Sequence, residues 1–418
     1  MSEFILVKGG KPLKGEIEVD TAKNAVLPII AATVLTNEEI IIENLPKISD
    51  VKKMLEILEL MGAKVRVEED KAIIKADGLS NLEIPSELAK EIRSSIFMLG
   101  PLLAKYKKAS VAYPGGCDIG SRPIDLHLAG LRDLGVEISE DYGYINCKAE
   151  NMRAGVVHLD FPSVGATENI MMSAVLLKGE TTILNAAKEP EIVDLANFIN
   201  SIGGKIRGAG SSTIIVEGVE RLGSGHYKPI ADRIIAGTYL IAAAMTKGSV
   251  KLVNANYQDV YALLNKLRNA GCKIDYDASS ITLECSKRPI ACPSIETQPY
   301  PGFPTDLQAQ MLALQTISDG ISIVTENMFE TRFKHVPELL KMGAKVTIKD
   351  RMAIVRGVSE LHGAEVVAHD LRGGAALVLA GLVAKGETRV LNPIYIDRGY
   401  ECFEEKLASL GADIVRKR

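Results

Sequence analysis

The sequence predicts an α/β fold assembled from six copies of one unit of about 70 residues, with helices enclosed by sheets. Three observations carry this expectation. The first is a recurring amphipathic helix that ends in glycine and runs into a short β-rich segment. It reads Leu-Glu-Leu-Met-Gly62, Leu-Arg-Asp-Leu-Gly135, Ile-Asn-Ser-Ile-Gly203, Leu-Arg-Asn-Ala-Gly271, Leu-Leu-Lys-Met-Gly343 and Leu-Ala-Ser-Leu-Gly411. The glycines fall 68 to 73 residues apart, and sixfold recurrence at one period is the mark of internal duplication. Each suits the left-handed position that closes a helix. The second observation is an earlier helix in every unit: Leu27–Leu35, Ser94–Leu103, Ala166–Leu177, Asp232–Met245, Asp306–Thr316 and Gly374–Val383. These are apolar nearly all round, so they belong inside. The third is a strand ending in asparagine, clearest in Thr-Thr-Ile-Leu-Asn185, Ser-Val-Lys-Leu-Val-Asn254 and Thr-Arg-Val-Leu-Asn392. Each unit therefore reads strand, helix, strand, helix, short strand pair.

Composition narrows the function. The 418 residues are 47% hydrophobic and 24% charged, as in an ordinary soluble protein of two or three domains. A net charge of −4 excludes a nucleic-acid binder that works through general positive charge, so an anionic ligand needs a local cluster of Arg and Lys. The N-terminus lacks the basic and apolar regions of a signal peptide, and no apolar run is long enough to span a bilayer. A cytoplasmic location without membrane insertion is expected. Six cysteines show neither metal-ligand spacing nor a dense disulfide pattern, and no metal or cofactor is inferred.

One copy departs from the rest. Where the other strand ends lie 16 to 19 residues before the helix-ending glycine, Pro114 lies 21 before Gly135, and Pro-Gly-Gly-Cys117 replaces the asparagine. The stretch Pro114-Gly-Gly-Cys-Asp-Ile-Gly-Ser-Arg-Pro-Ile-Asp-Leu-His-Leu128 joins backbone freedom, a thiol and a guanidinium. Glycine-rich backbone offers free N–H groups to anions, and Arg122 adds a planar fork of donors for carboxylate or phosphate. A departure from a repeated structural unit is where local function is expected.

With these residues in view, the chain resembles the bacterial UDP-N-acetylglucosamine enolpyruvyl transferases (1-carboxyvinyltransferases) along essentially its whole length. The resemblance rests on Asp20-Thr-Ala-Lys-Asn-Ala25, the Cys117 loop, Phe161-Pro-Ser-Val-Gly-Ala-Thr-Glu-Asn169, Pro304-Thr-Asp-Leu-Gln308, His369-Asp-Leu-Arg372 and Asp397-Arg-Gly-Tyr400. It implies a two-domain inside-out α/β barrel of three repeats per domain. The domains would be residues 22–229, with the Cys117 loop, and residues 230–418 joined by residues 1–21. The implied reaction moves the enolpyruvyl group of phosphoenolpyruvate to the sugar 3′-hydroxyl with release of phosphate, at the start of peptidoglycan precursor synthesis. Phe97, Met328 and Thr331 depart from commoner family residues near the substrate.

Residue by residue, the resemblance implies catalytic roles for Cys117, Asp306, Lys23 and Arg398. Lys23, Asn24, Arg122, Arg372 and Arg398 would hold phosphoenolpyruvate. Arg93, Arg122, Pro123, Ile124, Asp125, Leu126, Ser163, Val164, Gly165, Asp306 and Met328 would hold the sugar nucleotide. Cys117 would deliver the proton to C3 and be the target of an epoxide inhibitor of the fosfomycin type; a thiol is mostly protonated near neutral pH, as a general acid must be. Asp306 would be base or sugar-orienting acceptor, and its position before an apolar helix is also compatible with an N-cap. His127 and Asp370 read as supports, His335 and His362 as ordinary. Transfer to another acceptor, as in the shikimate-pathway enzyme, and a non-catalytic paralogue are the alternatives; intact motif residues speak against the second.

Overall fold

The computed structural model describes residues 3–115 and 124–417. Cys117, Arg122 and Pro123 lie outside the described residues. Two compact units emerge, one of residues 21–115 with 124–230, the other of residues 3–20 with 231–417.

The first unit holds three four-stranded sheets of one pattern. A short strand pairs in parallel with a longer one, which pairs antiparallel with the far strand of a hairpin. In the first sheet these are Gly225–Tyr227, Glu39–Ile42, Lys71–Lys75 and Lys64–Glu68. The second follows with Glu83–Ile84, Lys108–Ala112, Tyr144–Lys148 and Glu137–Asp141. The third has Val156–His158, Glu180–Leu184, Thr213–Glu217 and Lys205–Arg207. Because residues 225–227 pair with residues 39–42, the end of the third repeat closes onto the first. Inside lie helices Lys23–Ala32, Leu99–Tyr106 and Val164–Ala174, with every residue from 25 to 32 and from 166 to 174 buried.

The second unit repeats the scheme, with its own hydrophobic core. Its buried helices are Arg233–Met245, Gln308–Ile317 and Leu371–Val383. Residues 3–20 belong here because strand Phe4–Lys8 lies between Glu387–Leu391 and Asp413–Lys417, while Lys14–Glu18 runs parallel to Ser249–Val253. Each unit is thus an α/β barrel turned inside out, helices within and sheets around them. The burial follows from sequence: Leu-Arg-Gly-Gly-Ala-Ala-Leu-Val-Leu-Ala-Gly-Leu has no polar face to present to water.

The repeated residues have a common cause. All six helix-ending glycines sit at φ between 89° and 105°. At the first, Gly62 N–H donates to Glu59 O and Ala63 N–H to Leu58 O, both at 2.9 Å, the bonding that turns a helix end into a strand. The strand-end asparagines Asn185, Asn254 and Asn392 are also left-handed, at φ 56° to 59°. Asparagine tolerates that region, and its side chain ties neighbouring strands: Asn185 Nδ2 donates to Leu159 O at 2.7 Å and Asn254 Nδ2 to Val19 O at 3.2 Å.

Candidate active site

Each strand that follows a buried helix returns the chain to the N-terminal end of that helix. There the first backbone N–H groups have no intrahelical partner and the helix dipole favours negative charge. Many of the sequence-predicted site residues sit at these ends. Lys23 and Asn24 open helix 23–32, Arg93 opens the 3₁₀ turn Arg93–Met98 that leads into helix 99–106, and Ser163 caps helix 164–174. In the other unit Asp306 lies in the 3₁₀ turn Thr305–Leu307 ahead of helix 308–317, and Arg372 is the second residue of helix 371–383.

In the first unit, Lys23 Nζ meets the carboxylate of Asp50 at 2.5 Å, both side chains largely buried. Asp50 stands in the first turn of helix Ser49–Met61, so a second helix N-terminus supports the ion pair. Ser163 Oγ accepts the N–H of Ala166 at 3.3 Å, leaving the amides of Val164 and Gly165 outside the helical ladder. Gly165 has a steric reason: a Cβ there would lie 2.8 Å from His127 Cε1 and 3.0 Å from Nε2. Phe97 lies beside the same glycine. His127 is buried, and burial with the nearby Arg93 charge pushes its pKa down to about 3, so the ring is neutral. Asn169 fixes the tautomer. Its Oδ1 accepts the Gly100 N–H at 2.9 Å, so Nδ2 must be the donor to His127 Nδ1 at 2.8 Å, and Nε2 carries the proton. Helix Asp125–Asp133 carries this histidine; Ile124 is buried just before it, and Leu126 packs on the core.

In the second unit, Asp306 lies between two guanidiniums, Arg332 Nη2 at 2.6 Å and Arg372 Nη2 at 3.1 Å. Burial pushes its carboxyl up, but Arg372 and Arg332 more than offset this and hold it far below the usual carboxylate range. Asp306 does not cap the helix: Pro304 holds the N-cap position of the turn, and the carboxylate is engaged with arginines. The capping role that its position suggested is therefore absent, because two buried cations outcompete backbone amides. Nε and Nη1 of Arg372 and Nε of Arg332 are buried without a hydrogen-bond partner, although buried donors are nearly always satisfied. Asp370 does cap, accepting the N–H groups of Arg372 at 3.0 Å and Gly373 at 2.9 Å. Arg372 also lies over the Tyr400 ring at 5.5 Å, two residues beyond Arg398, which ends the turn Pro393–Arg398.

Sequence reasoning missed four supporting residues: Asp50, Asn169, Arg332 and Glu326. Glu326 Oε1 accepts from Met328 N–H at 2.8 Å, Phe329 N–H at 3.1 Å and Thr297 Oγ1 at 2.9 Å, while Oε2 accepts from Thr305 Oγ1 at 2.9 Å. It thereby ties the Met328 turn to the loop that carries Asp306. A signal was present: strands 180–184, 249–253 and 387–391 pass directly to asparagine, whereas strand Ile321–Thr325 is followed by Glu326 and only then Asn327. His335, read as ordinary, is buried with both ring nitrogens unpartnered. Burial and Arg332 push its pKa down to about 4, against the pull of Asp370.

The model of EPSP synthase (3-phosphoshikimate 1-carboxyvinyltransferase) matches residues 7–407. The UDP-N-acetylglucosamine 1-carboxyvinyltransferase 2 of Caldanaerobacter subterraneus subsp. tengcongensis is 53% identical over 410 residues, 98% of both chains. The UDP-N-acetylglucosamine 1-carboxyvinyltransferase of Halorhodospira halophila is 48% identical over 99% of both. Among solved structures, the enolpyruvyl transferase NikO from Streptomyces tendae superposes with a TM-score of 0.89 at 22% identity, covering 100% of this chain and 99% of that one. An EPSP synthase from Acinetobacter baumannii gives 0.76 at 16% identity, with both chains fully covered. The structural matches establish the fold, and identity near one half over the full length decides the branch: the chain belongs to the UDP-N-acetylglucosamine 1-carboxyvinyltransferases of the EPSP synthase family.

Proposed function

We propose that this protein is a cytoplasmic enzyme that transfers the enolpyruvyl group of phosphoenolpyruvate to the 3′-hydroxyl of UDP-N-acetylglucosamine and releases phosphate, feeding peptidoglycan synthesis. The supporting observation is Asp306 held between two buried arginines whose remaining donors lack partners, in a chain 53% identical to a protein of that name. Those donors suit the carboxylate or phosphate of phosphoenolpyruvate. By resemblance, Lys23, Asn24, Arg122, Arg372 and Arg398 are the residues proposed to bind phosphoenolpyruvate. Ser163–Gly165 and residues 122–126 with Arg93 and Met328 hold the sugar nucleotide, the free amides of Val164 and Gly165 facing its diphosphate.

Chemically, a proton goes to C3 of the enol and the sugar hydroxyl adds at C2. Phosphate then leaves with its C2–O bond and a C3 proton is lost to restore the double bond. Cys117 supplies the first proton. Asp306, ionised and strongly stabilised by its arginines, is a poor base while it is their only anionic partner. A bound anion that shares Arg372 and Arg332 weakens that stabilisation and raises its basicity. Asp306 therefore first orients the hydroxyl and gains strength as a base on substrate binding. The test is phosphate release from phosphoenolpyruvate, measured with UDP-N-acetylglucosamine, with shikimate 3-phosphate and with neither. Release that requires the sugar nucleotide supports the proposal; release with shikimate 3-phosphate alone, or with neither acceptor, contradicts it.

A further inference from the structure

Three cysteines outside the candidate site gather at one end of the sheet containing Lys273–Tyr276 and Ser280–Glu284. Lys273 pairs with Glu284 in that hairpin, so Cys272 and Cys285 stand opposite each other one step beyond. The Cys285 N–H donates to Gly248 O at 2.9 Å, on the side away from Cys272, and the Cys272 N–H donates to Leu267 O at 3.0 Å. The two residues thus face each other as a non-hydrogen-bonded pair, where Cα atoms approach to about 4.5 Å. Disulfides accept Cα separations from about 4.4 Å upward. Both side chains turn into the core, at 6% and 2% exposure. The neighbouring Cys272 thiol, with a smaller contribution from Lys247, holds the Cys285 thiol below its usual range against the cost of burial, and Cys285 Sγ donates to Lys287 O at 3.3 Å. Cys292 lies near, but its N–H is tied to Gln315 Oε1 at 2.8 Å and its thiol to Lys266 O at 3.4 Å. Among the described residues no group of three or more His, Cys, Asp or Glu could hold a metal ion, which removes metal binding as a reason for the cluster.

We propose that Cys272 and Cys285 form a reversible disulfide across the strand pair when the protein meets a hydroperoxide. The Cys285 thiolate attacks a peroxide oxygen; an S–O bond forms, the O–O bond breaks and the leaving oxygen takes up a proton, departing as water from hydrogen peroxide or as an alcohol from an organic hydroperoxide. Cys272 then attacks that sulfur, the S–S bond forms, and the S–O bond breaks to release water. Two thiols lose two electrons, and the hydroperoxide takes both. The pair becomes an oxidation site separate from Cys117 chemistry.

The test uses the full chain treated with hydrogen peroxide, denatured, alkylated and digested with trypsin without reductant. Cleavage after Arg268, Lys273 and Lys287 separates the two cysteines on peptides 269–273 and 274–287. The expected product is these peptides joined, about 2 Da lighter than their sum, and separated by dithiothreitol. The variant Cys285→Ser should lose the joined product and return Cys272 alkylated. A link from either cysteine to the peptide carrying Cys292 would overturn the proposal. So would recovery of both as alkylated thiols while Cys117 is oxidised. Mapping of the unmutated chain decides the matter even if the variant does not fold.

Discussion

Asp306→Ala tests the arginine pair most directly. The carboxylate is the shared counter-ion of Arg332 and Arg372, each with 4% side-chain exposure, and is itself 26% exposed. Its removal leaves two like charges buried together. Breaking a buried pair costs about 3–5 kcal/mol, and the partial exposure of Asp306 puts this case near the lower figure. For a unit of roughly 200 residues, 3 kcal/mol corresponds to a fall in Tm of about 6–12 °C. Turnover should fall by roughly 10²–10⁴, the range for loss of a base or orienting group. Asp306→Asn keeps the shape and one acceptor but not the charge, so its Tm should lie between. Inorganic phosphate should raise the Tm of both variants more than that of the parent, because an anion replaces the missing charge. The assay is a melting curve with and without phosphate, run beside initial rates on the same preparation. A variant that melts within about 2 °C of the parent, or gains no more from phosphate, refutes the shared counter-ion. The pH dependence has a definite sign. The folded pKa of Asp306 lies below its unfolded value near 3.9, so its stabilisation is present above about pH 4 and is lost as pH falls towards the folded value. Asp306→Asn should therefore flatten stability loss below about pH 4.

The remaining predictions concern the other unit and the thiols. Gly165→Ala should destabilise by about 1–3 kcal/mol, because the new methyl meets the His127 ring, and should weaken sugar-nucleotide binding; an unchanged Kd and Tm would mean the ring gives way freely. His127 should stay neutral to below about pH 4 in NMR titration, and a midpoint near 6.5 would contradict its burial. Since its folded pKa is lowered to about 3, its neutral form supports the fold above pH 6.5, and that support erodes as pH falls from about 6.5 towards 3. A fosfomycin-type epoxide should label Cys117 rather than exposed Cys402, whose thiol is pushed up by partial burial and by Glu405, Glu401 and Glu404; mapping the label to Cys402 would end that reading. Cys117→Asp should resist the epoxide and keep some turnover, since a carboxylic acid also delivers protons.

Much of the frame was legible because its constraints are local. A left-handed helix end selects glycine, a left-handed strand end admits asparagine, and a buried helix is apolar along most of its length, so each leaves a mark that repeats six times or nearly so. Helix 233–245 illustrates this: its residues from Ile234 onward are buried, and the apolar run from Asp232 to Met245 predicts nearly the same bounds. The site was legible only through resemblance, residue by residue, and its supports were not. Arg332 reaches Asp306 across 26 residues and Arg372 across 66, while Asn169 reaches His127 across 42. No spacing rule joins residues whose meeting depends on how two repeats pack. The capping alternative for Asp306 has the same origin, since local sequence shows the helix ahead and hides the arginines.

The repeat separates two duties between its two helices. Where the glycine-ended helices stop, all six copies keep the same residue, because the backbone there has one conformation to satisfy. Where the buried helices begin, the copies diverge into Lys23-Asn24, Arg93, Ser163, Thr305-Asp306 and Asp370–Arg372. Arg372 and Asp306 open different helices of one unit and meet at 3.1 Å, so those helices start at the same end. The second and third helices of the other unit do likewise, through Arg93, Gly165 and His127. Each such start carries the equivalent of about half a positive charge, held in a poorly solvated place. A chain of net charge −4 can thus offer an anion several partial charges and buried guanidiniums without a basic surface. Ionic strength should then affect affinity for an anionic substrate less than it would for a surface basic patch, because buried charges are screened least. A Kd for inorganic phosphate that weakens steeply between low and physiological salt would place the attraction on the surface instead.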